Sequence, residues 1–213
     1  MRMPEREPVL VSGAVEGLLD EAVLKRLIAY VGGRPGPIYG KKGKDQLLSR
    51  LRGYNQAAQF EPWVVLVDLD QDAACAPPFR AACLAQPAPN MCFRVAVREV
   101  EAWLLADREQ LARFLAVPQN AVPANAEAVA FPKDTLAQLA QRSRRREIRE
   151  DIAPRLRSGR RVGPAYSSRL VQFVTDLADG WRPEVAAQTS GSLARCIECL
   201  ARLAGRERDQ DHR

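Results

Sequence analysis

Histidine is nearly absent from this sequence, with His212 the single one among 213 residues. A Ser-His-Asp or Cys-His catalytic site would have to use this one residue, which lies in an apparently frayed tail. The scarcity argues against catalysis that depends on histidine. Carboxylates, lysine or a metal ion are then the groups on which any catalysis would depend.

Long apolar segments are also missing. No uninterrupted apolar run approaches the roughly 20 residues that a membrane-spanning helix needs, and residues 1–8 lack the apolar core of a signal peptide. The five cysteines are an odd number and, without a secretion signal, argue against a disulfide framework. Cys196 and Cys199 form an isolated CxxC and are interpreted as helix packing residues. We therefore expect a cytoplasmic protein with no membrane partner.

The overall composition is typical of a globular protein. Hydrophobic residues make up 46% of the chain and charged residues 27%, which argues against disorder of the whole chain. The 32 Lys and Arg exceed the 26 Asp and Glu, for a formal net charge of +6. This excess suits a polyanionic partner without requiring one.

Apolar segments alternate with helical patterns in the first half of the chain. The clearest strand is Trp63-Val64-Val65-Leu66-Val67, which is continuously apolar like strands covered on both faces. Further strands are predicted near residues 9–15, 38–39 and 93–97, with helices between them. The alternation predicts an α/β core at residues 1–117, with a mainly parallel sheet flanked by helices. Only helical segments follow, so residues 118–213 are predicted to form a helical extension that packs on this core.

Acidic side chains follow two of the predicted strands. Glu16 ends the first strand and precedes Asp20 in the opening turn of a helix, whereas Asp68 and Asp70 end the clearest strand. Sites in parallel α/β sheets form at the carboxyl ends of strands. Clustered carboxylates repel one another, and Mg²⁺ or Mn²⁺ prefers such oxygen ligands. A bound ion could activate water and neutralise a phosphate that is being cleaved.

Each acidic group also has a structural interpretation. Asp20 can favour the dipole of a helix whose first turn it occupies, and Asp68 and Asp70 can cap a loop. The occurrence of both groups at strand ends, in this order, favours a site.

Two segments resemble the motifs of the Toprim domain. The first is Val15-Glu16-Gly17-Leu18-Leu19-Asp20-Glu21, an apolar strand followed by Glu-Gly, two residues and Asp. The second is Val65-Leu66-Val67-Asp68-Leu69-Asp70, an apolar strand that ends in Asp-x-Asp. Residues 98–107, 132–133, 143–146, 162–166 and 192–196 are further similar to an uncharacterised bacterial Toprim-like family of about this length.

Toprim domains occur in topoisomerases, primases, small ribonucleases and the nucleases that accompany ATPases in phage defence. The resemblance implies a parallel α/β fold and magnesium-dependent nuclease (hydrolase) activity on nucleic acid, with an ATPase as a further partner. It implies that Glu16 acts as general acid, general base or metal ligand. Asp68 and Asp70 would bind the magnesium ion.

Glu99 and Glu101 follow another predicted strand, so either could complete the shell of metal ligands. The alternative is a pair of acids at a helix start, beside a core Trp103. Lys133 could stabilise a phosphate or be an ordinary solvated lysine.

Basic residues occur in two groups. The first lies in a glycine loop that is not a Walker A motif but could hold a phosphate backbone; it comprises Lys41, Lys42 and Lys44. The second is an arginine cluster centred on Arg144, Arg145 and Arg146, with Arg155, Arg157, Arg160 and Arg161 beyond it. Phosphate contacts by these residues would give salt-dependent nucleic-acid binding. The alternative is a solvated helix face paired with nearby acids.

Two other functions remain open. The chain could be a non-catalytic Toprim-like module that binds nucleic acid or regulates a partner. It could also be a phosphohydrolase of the haloacid-dehalogenase kind with Asp68 as nucleophile, although Asp72 stands where that motif has Thr or Val.

Overall fold

The computed structural model describes residues 7–205, so His212 lies outside the described residues. Within this range the chain forms a four-stranded sheet in the order β2-β1-β3-β4, and every neighbouring pair is parallel. The strands are β1 (Leu10–Val15), β2 (Arg34–Gly40), β3 (Trp63–Asp68) and β4 (Met91–Ala96). The expected α/β class, with a parallel sheet flanked by helices, is confirmed.

Helices make up most of the rest of the described chain. Those within the first 117 residues are α1 (Leu18–Tyr30), α2 (Lys44–Ser49), α3 (Leu51–Ala57), α4 (Ala76–Cys83), α5 (Val100–Ala106) and α6 (Arg108–Leu115). The later ones are α7 (Pro132–Gln141), α8 (Arg146–Ile152), α9 (Tyr166–Thr175), α10 (Pro183–Ala186) and α11 (Gly191–Leu203), with 3-10 turns at Gln119–Ala121 and Ala126–Ala128. Between residues 7 and 205, no helix is both long and apolar enough to cross a membrane.

Strand β3 is apolar throughout because helices cover both faces of the sheet. Val64 and Leu66 point into the larger apolar cluster, which includes α1 and α5. Val65 and Val67 point the other way, into a smaller cluster that contains Leu47 of α2. Alternate side chains of an extended strand face opposite sides of a sheet, so both sets must be apolar here.

Strand β2 is longer than the two residues predicted from the sequence. It includes Pro35 and Pro37, a residue type that usually interrupts a strand. Proline is tolerated because β2 lies at the edge of the sheet, where not every backbone N–H is needed for pairing.

Two short helices, rather than one long helix, connect β2 to β3. Helix α2 is preceded by Gly43, which has a φ of 88°, and Asp45 lies in its first turn rather than at its cap. The chain then passes through Arg50 into α3. The apolar side chains of both helices still cover the same face of the sheet.

The C-terminal helices share the core of the sheet domain. Leu170 of α9 and Leu193 of α11 belong to the same buried cluster as the side chains of α1. The indole nitrogen of the fully buried Trp181 donates to the carbonyl oxygen of Trp103 in α5 at 3.0 Å. The last third of the described chain is therefore built onto one face of the sheet.

Cysteine pairing adds a second link in this region. Cys92 of β4 is paired with Cys199 of α11, and their Cα atoms are 6.0 Å apart. The sequence interpretation treated Cys199 as a packing residue alone, because a pairing across 107 positions leaves no local signal. Cys196 is buried and free, as a packing residue would be.

A buried ion pair connects α5 and α6 to the C-terminal helices. The carboxylate of Asp107 is fully buried and accepts hydrogen bonds from the Arg182 guanidinium at 2.7 and 3.0 Å. It also accepts the backbone N–H of Arg182 at 3.0 Å. Removing one partner of such a pair leaves the other charge buried and without a counter-charge.

We predict that Arg182→Met lowers the free energy of unfolding by about 3 kcal/mol, because Asp107 would remain buried without its counter-charge. Chemical denaturation measures this change. The matched control is Arg113→Met, because Arg113 and Arg182 both contact Glu109 but the Arg113 side chain is 65% exposed. This substitution should change stability by less than about 0.5 kcal/mol. Equal effects of the two substitutions would contradict the conclusion that Asp107 depends on Arg182 as its buried counter-charge.

Candidate functional site

The six acidic residues singled out from the sequence line one cleft of about 380 Å³. They are Glu16, Asp20, Asp68, Asp70, Glu99 and Glu101. The cleft lies at the carboxyl ends of β1 and β3, which parallel pairing brings to the same edge of the sheet. Lys133, Arg161, Tyr166 and Ser167 complete its walls.

Glu16 and Gly17 form the connection between β1 and α1. The Glu16 carboxylate accepts the backbone N–H of Asp68 at 2.7 Å, which ties the ends of β1 and β3 together. Gly17 precedes the first residue of α1, and a Cβ atom at this position would lie 2.9 Å from the Asp20 carboxylate. Glycine therefore leaves room for Asp20 to turn into the cleft.

Asp68 and Asp70 both line the cleft, although β3 ends at Asp68 and Asp70 lies beyond it. Asp68 accepts the backbone N–H of Val100 at 2.9 Å, which fixes its carboxylate at the start of α5. The backbone turns at Asp70, which has a φ of 49°, and its N–H donates to the carbonyl oxygen of Arg98 at 2.8 Å. A local turn, rather than strand alternation, brings Asp70 to the cleft.

The three predicted lysines of the glycine loop have different surroundings. Lys44 is largely buried, and its ammonium contacts Asp70 at 2.5 Å and Asp72 at 2.7 Å. Lys41 instead contacts Glu21 at 3.1 Å, and Lys42 is exposed. Only Lys44 is thus joined directly to an acid of the cleft.

Glu99 and Glu101 connect the cleft to the C-terminal helices. Glu99 accepts the backbone N–H of Lys133 at 2.8 Å, at the start of α7. Glu101 is buried and accepts the hydroxyl of Tyr166 at 3.1 Å. The Lys133 ammonium lies 5.6 Å from the centre of the Tyr166 ring. The pattern of acids gave no signal for Tyr166, Ser167 or Arg161.

Asp20 carries an oxygen that lacks a hydrogen-bond partner. The side chain is buried, and none of the described residues donates to its Oδ1 atom. Burial raises the pKa of this carboxyl, and the charge of Asp70 raises it further. A buried polar atom without a partner is costly, and a bound cation would satisfy it.

Three further acids of the cleft, Glu16, Asp68 and Glu101, also have raised pKa values. Burial raises the pKa of Glu16 to about 7 and that of Glu101 to about 7. The pKa of Asp68 is raised well above its ordinary value, first by burial and then by the charges of Asp20, Glu101 and Glu16. Burial, more than repulsion between neighbouring acids, therefore makes these carboxyl groups costly to ionise.

The donor atoms fit a hard divalent cation in their chemistry. Glu16, Asp68 and Asp70 offer carboxylate oxygens of the kind that Mg²⁺ and Mn²⁺ favour. Across residues 7–205, however, no three His, Cys, Asp or Glu side chains are already grouped closely enough to hold a metal ion. Binding an ion here would require carboxylates to turn toward it.

The predicted arginine cluster lies outside the cleft. Arg144 lines a different groove together with Glu109 and Arg113, and neither Arg145 nor Arg146 lines the cleft. Arg146 is exposed and contacts Glu150 at 2.7 Å. The arginine that does reach the cleft is Arg161.

Comparison with known proteins adds no relative, since the chain matches no protein-family model, no curated protein and no solved structure. The roles of the cleft residues must therefore be argued from their chemistry and their surroundings.

We predict that the unfolding free energy decreases as the pH rises from about 4.5 to about 7. Glu16 and Glu101 have ordinary pKa values of 4.5, raised to about 7 in the fold. Between these values the folded chain keeps protons that the unfolded chain has lost, so its stability falls until both groups are ionised.

Glu16→Gln/Glu101→Gln should flatten this dependence and make the protein more stable than wild type at about pH 8. Chemical denaturation across the pH range, without divalent ions, measures both effects. Glu184→Gln/Glu198→Gln is a matched control, because both side chains are exposed. A wild-type curve no steeper than that of the cleft variant would refute the prediction.

Proposed function

We propose that this chain is a Toprim-like, Mg²⁺- or Mn²⁺-dependent enzyme that cleaves phosphodiester bonds in nucleic acid, and thus a nuclease. The observation that carries the proposal is the convergence of six carboxylates in one cleft at the strand ends. Four of the six, Glu16, Asp20, Asp68 and Asp70, belong to the two motifs that resemble the Toprim domain. The buried Asp20 oxygen without a partner is a second reason to expect a cation.

Glu16, Asp68 and Asp70 would hold the ion, with Asp20, Glu99 and Glu101 as the wider set of ligands. When bound, the ion would supply neutralisation of phosphate charge and activation of a water molecule. In the ion-free fold Glu16 is suited to take up or release a proton near neutral pH, because burial raises the pKa of its carboxyl to about 7.

Two cationic side chains in the cleft suit a phosphate substrate. The Lys133 ammonium lies against the Tyr166 ring, and Lys133 is held at the start of α7 by the bond from its backbone to Glu99. Arg161 is held by two bonds to Asp134, at 2.9 and 2.6 Å. Both would stabilise the negative charge of a bound phosphodiester.

The proposal of a protein partner is based only on the resemblance to the Toprim domain. Toprim-like nucleases that accompany ATPases in phage defence make an ATPase a reasonable protein partner. Co-purification of an ATPase with the tagged chain would support this part.

We predict that Glu16→Gln and Asp68→Asn each lower the rate of nucleic-acid cleavage at least about 100-fold while the fold is retained. Gel assays with labelled DNA and RNA measure the rate, and circular dichroism checks the fold. Asp179→Asn, at an exposed acid outside the cleft, should cleave like wild type. Cleavage by the cleft variants at the wild-type rate would disprove the proposed site.

We further predict that wild-type protein binds Mg²⁺ or Mn²⁺ in calorimetric titrations and that Asp68→Asn/Asp70→Asn removes the binding, because these acids would ligate the ion. The titrations are run with and without an oligonucleotide, since substrate phosphates often complete a magnesium site. Asp179→Asn again serves as the control. Unchanged binding by the double variant would place the ion elsewhere.

A second candidate function is a non-catalytic nucleic-acid-binding or regulatory module. It is favoured by the contacts of Lys44 with Asp70 and Asp72, which already neutralise part of the acidic group without an ion. Nucleic-acid affinity that is the same in Mg²⁺ and in chelator, together with no cleavage, would support this function.

A further inference from the structure

The connection between α8 and α9 carries a dense positive charge, most of which forms no ion pair. Residues 154–161, here named the arginine loop, contain four arginines and no acid. They are Arg155, Arg157, Arg160 and Arg161. Among the described residues only Arg161 of these four forms an ion pair, with Asp134. The other three are exposed to solvent and available to a polyanion.

An apolar side chain stands among these charges. Leu156 lies between Arg155 and Arg157 and is 98% exposed. Full exposure of a leucine forfeits the free energy that burial would provide. Single exposed apolar residues are common on protein surfaces. Leu156 suggests a binding role because it lies between two exposed arginines.

The arginine loop is exposed at its tip but anchored where its chain leaves and re-enters the fold. Gly163 donates its N–H to the carbonyl oxygen of Ile152 at 2.8 Å, and Ala165 donates to that of Asp151 at 2.9 Å. A Cβ atom on Gly163 would lie only 2.3 Å from the Asp151 carbonyl oxygen, so this close approach requires glycine. The fold therefore holds Leu156 and its arginines in solvent.

The arginine loop also borders the acidic cleft. Arg161 lines both the cleft and a neighbouring polar groove of about 540 Å³. Pro154, at the other end of the loop, lines the same groove together with Arg142 and Gln138. A strand that leaves the cleft along this groove would pass directly beside the loop.

We propose that the arginine loop is a nucleic-acid clamp, in which the arginines bind phosphates and Leu156 inserts between adjacent bases. Nucleic acid offers both surfaces that the loop requires, a polyanionic backbone and apolar base faces. Insertion of an apolar wedge between base steps is an established way for proteins to bend or open a duplex. The clamp rests on the proposed function for its substrate class, but its binding does not require the metal ion.

The test measures binding of fluorescent DNA and RNA oligonucleotides, single- and double-stranded, to the full chain in chelator, where cleavage cannot interfere. A 2-aminopurine base in a second set of probes reports unstacking. Leu156→Ser should weaken the tightest complex about tenfold and remove the fluorescence increase on binding. Phe60→Ser is the control, because Phe60 is 90% exposed but lies before β3, at the end of the sheet opposite the cleft.

Arg155→Gln/Arg157→Gln tests the phosphate contacts. It should reduce the slope of log affinity against log salt by about two for a duplex, because two phosphate contacts are lost. Arg34→Gln/Arg202→Gln removes the same charge from exposed positions near the opposite end of the sheet and should leave the slope nearly unchanged.

The inference is overturned if Leu156→Ser binds and unstacks the probes like wild type, or if wild type binds none of the probes. It is also overturned if Leu156→Ser instead releases the chain from anionic vesicles, because that result would assign the loop to a membrane surface. The clamp and the nuclease can fail separately. Loop-dependent binding without cleavage in Mg²⁺ or Mn²⁺ would remove only the nuclease, whereas cleavage with loop-independent binding would remove only the clamp.

Discussion

Mutual repulsion among carboxylates in a partly dehydrated cleft is the constraint around which this end of the molecule is organised. Asp20, Asp68 and Glu101 each lose water on folding, and each raises the cost of ionising its neighbours. Protons, cationic side chains or a bound ion must offset that cost. The fold supplies part of the compensation through Lys44 and through backbone N–H groups directed at Glu16, Asp68 and Glu99. Carboxyl groups with pKa values shifted in this way are common at functional sites.

The C-terminal helices serve the cleft as well as the core. Lys133, Tyr166 and Arg161 all line the cleft. The hydroxyl of Tyr166 also donates a hydrogen bond to Glu101. Asp107 and Arg182 tie these helices to α5, whose first turn carries Glu101. A change in the packing of these helices would therefore alter the site without touching the strands. The shape of the cleft depends on the C-terminal helices as much as on the sheet.

The acids could be located from the sequence because their positions follow from local rules. A continuous apolar run marks β3 as a strand covered on both faces, and parallel strands end at one edge, so Glu16, Asp68 and Asp70 were expected to be neighbours. Contacts across long separations leave no such trace. The bonds between Tyr166 and Glu101 and between Lys44 and Asp70 span 65 and 26 positions. Neither follows from spacing or composition.

Local exceptions also escaped the sequence pattern. Pro35 and Pro37 normally indicate a break, and only the edge position of β2 allows them within a strand. The positive φ of Asp70 is the second case, because aspartate is also common in extended and helical backbone. In both cases the tertiary arrangement decides among conformations that the residue itself permits.

The prolines of β2 have a consequence for how copies of the chain meet. An exposed edge strand is a template on which another chain can add a strand and so build an intermolecular sheet. The Arg34 N–H points toward β1 and donates to the carbonyl oxygen of Val9. Backbone N–H groups of successive strand residues point in opposite directions, so the N–H of position 35 would point away from the sheet. Proline has no N–H to offer, and the outer row of donors is interrupted. At high concentration, self-association by edge-to-edge strand pairing is thereby disfavoured on this side of the sheet.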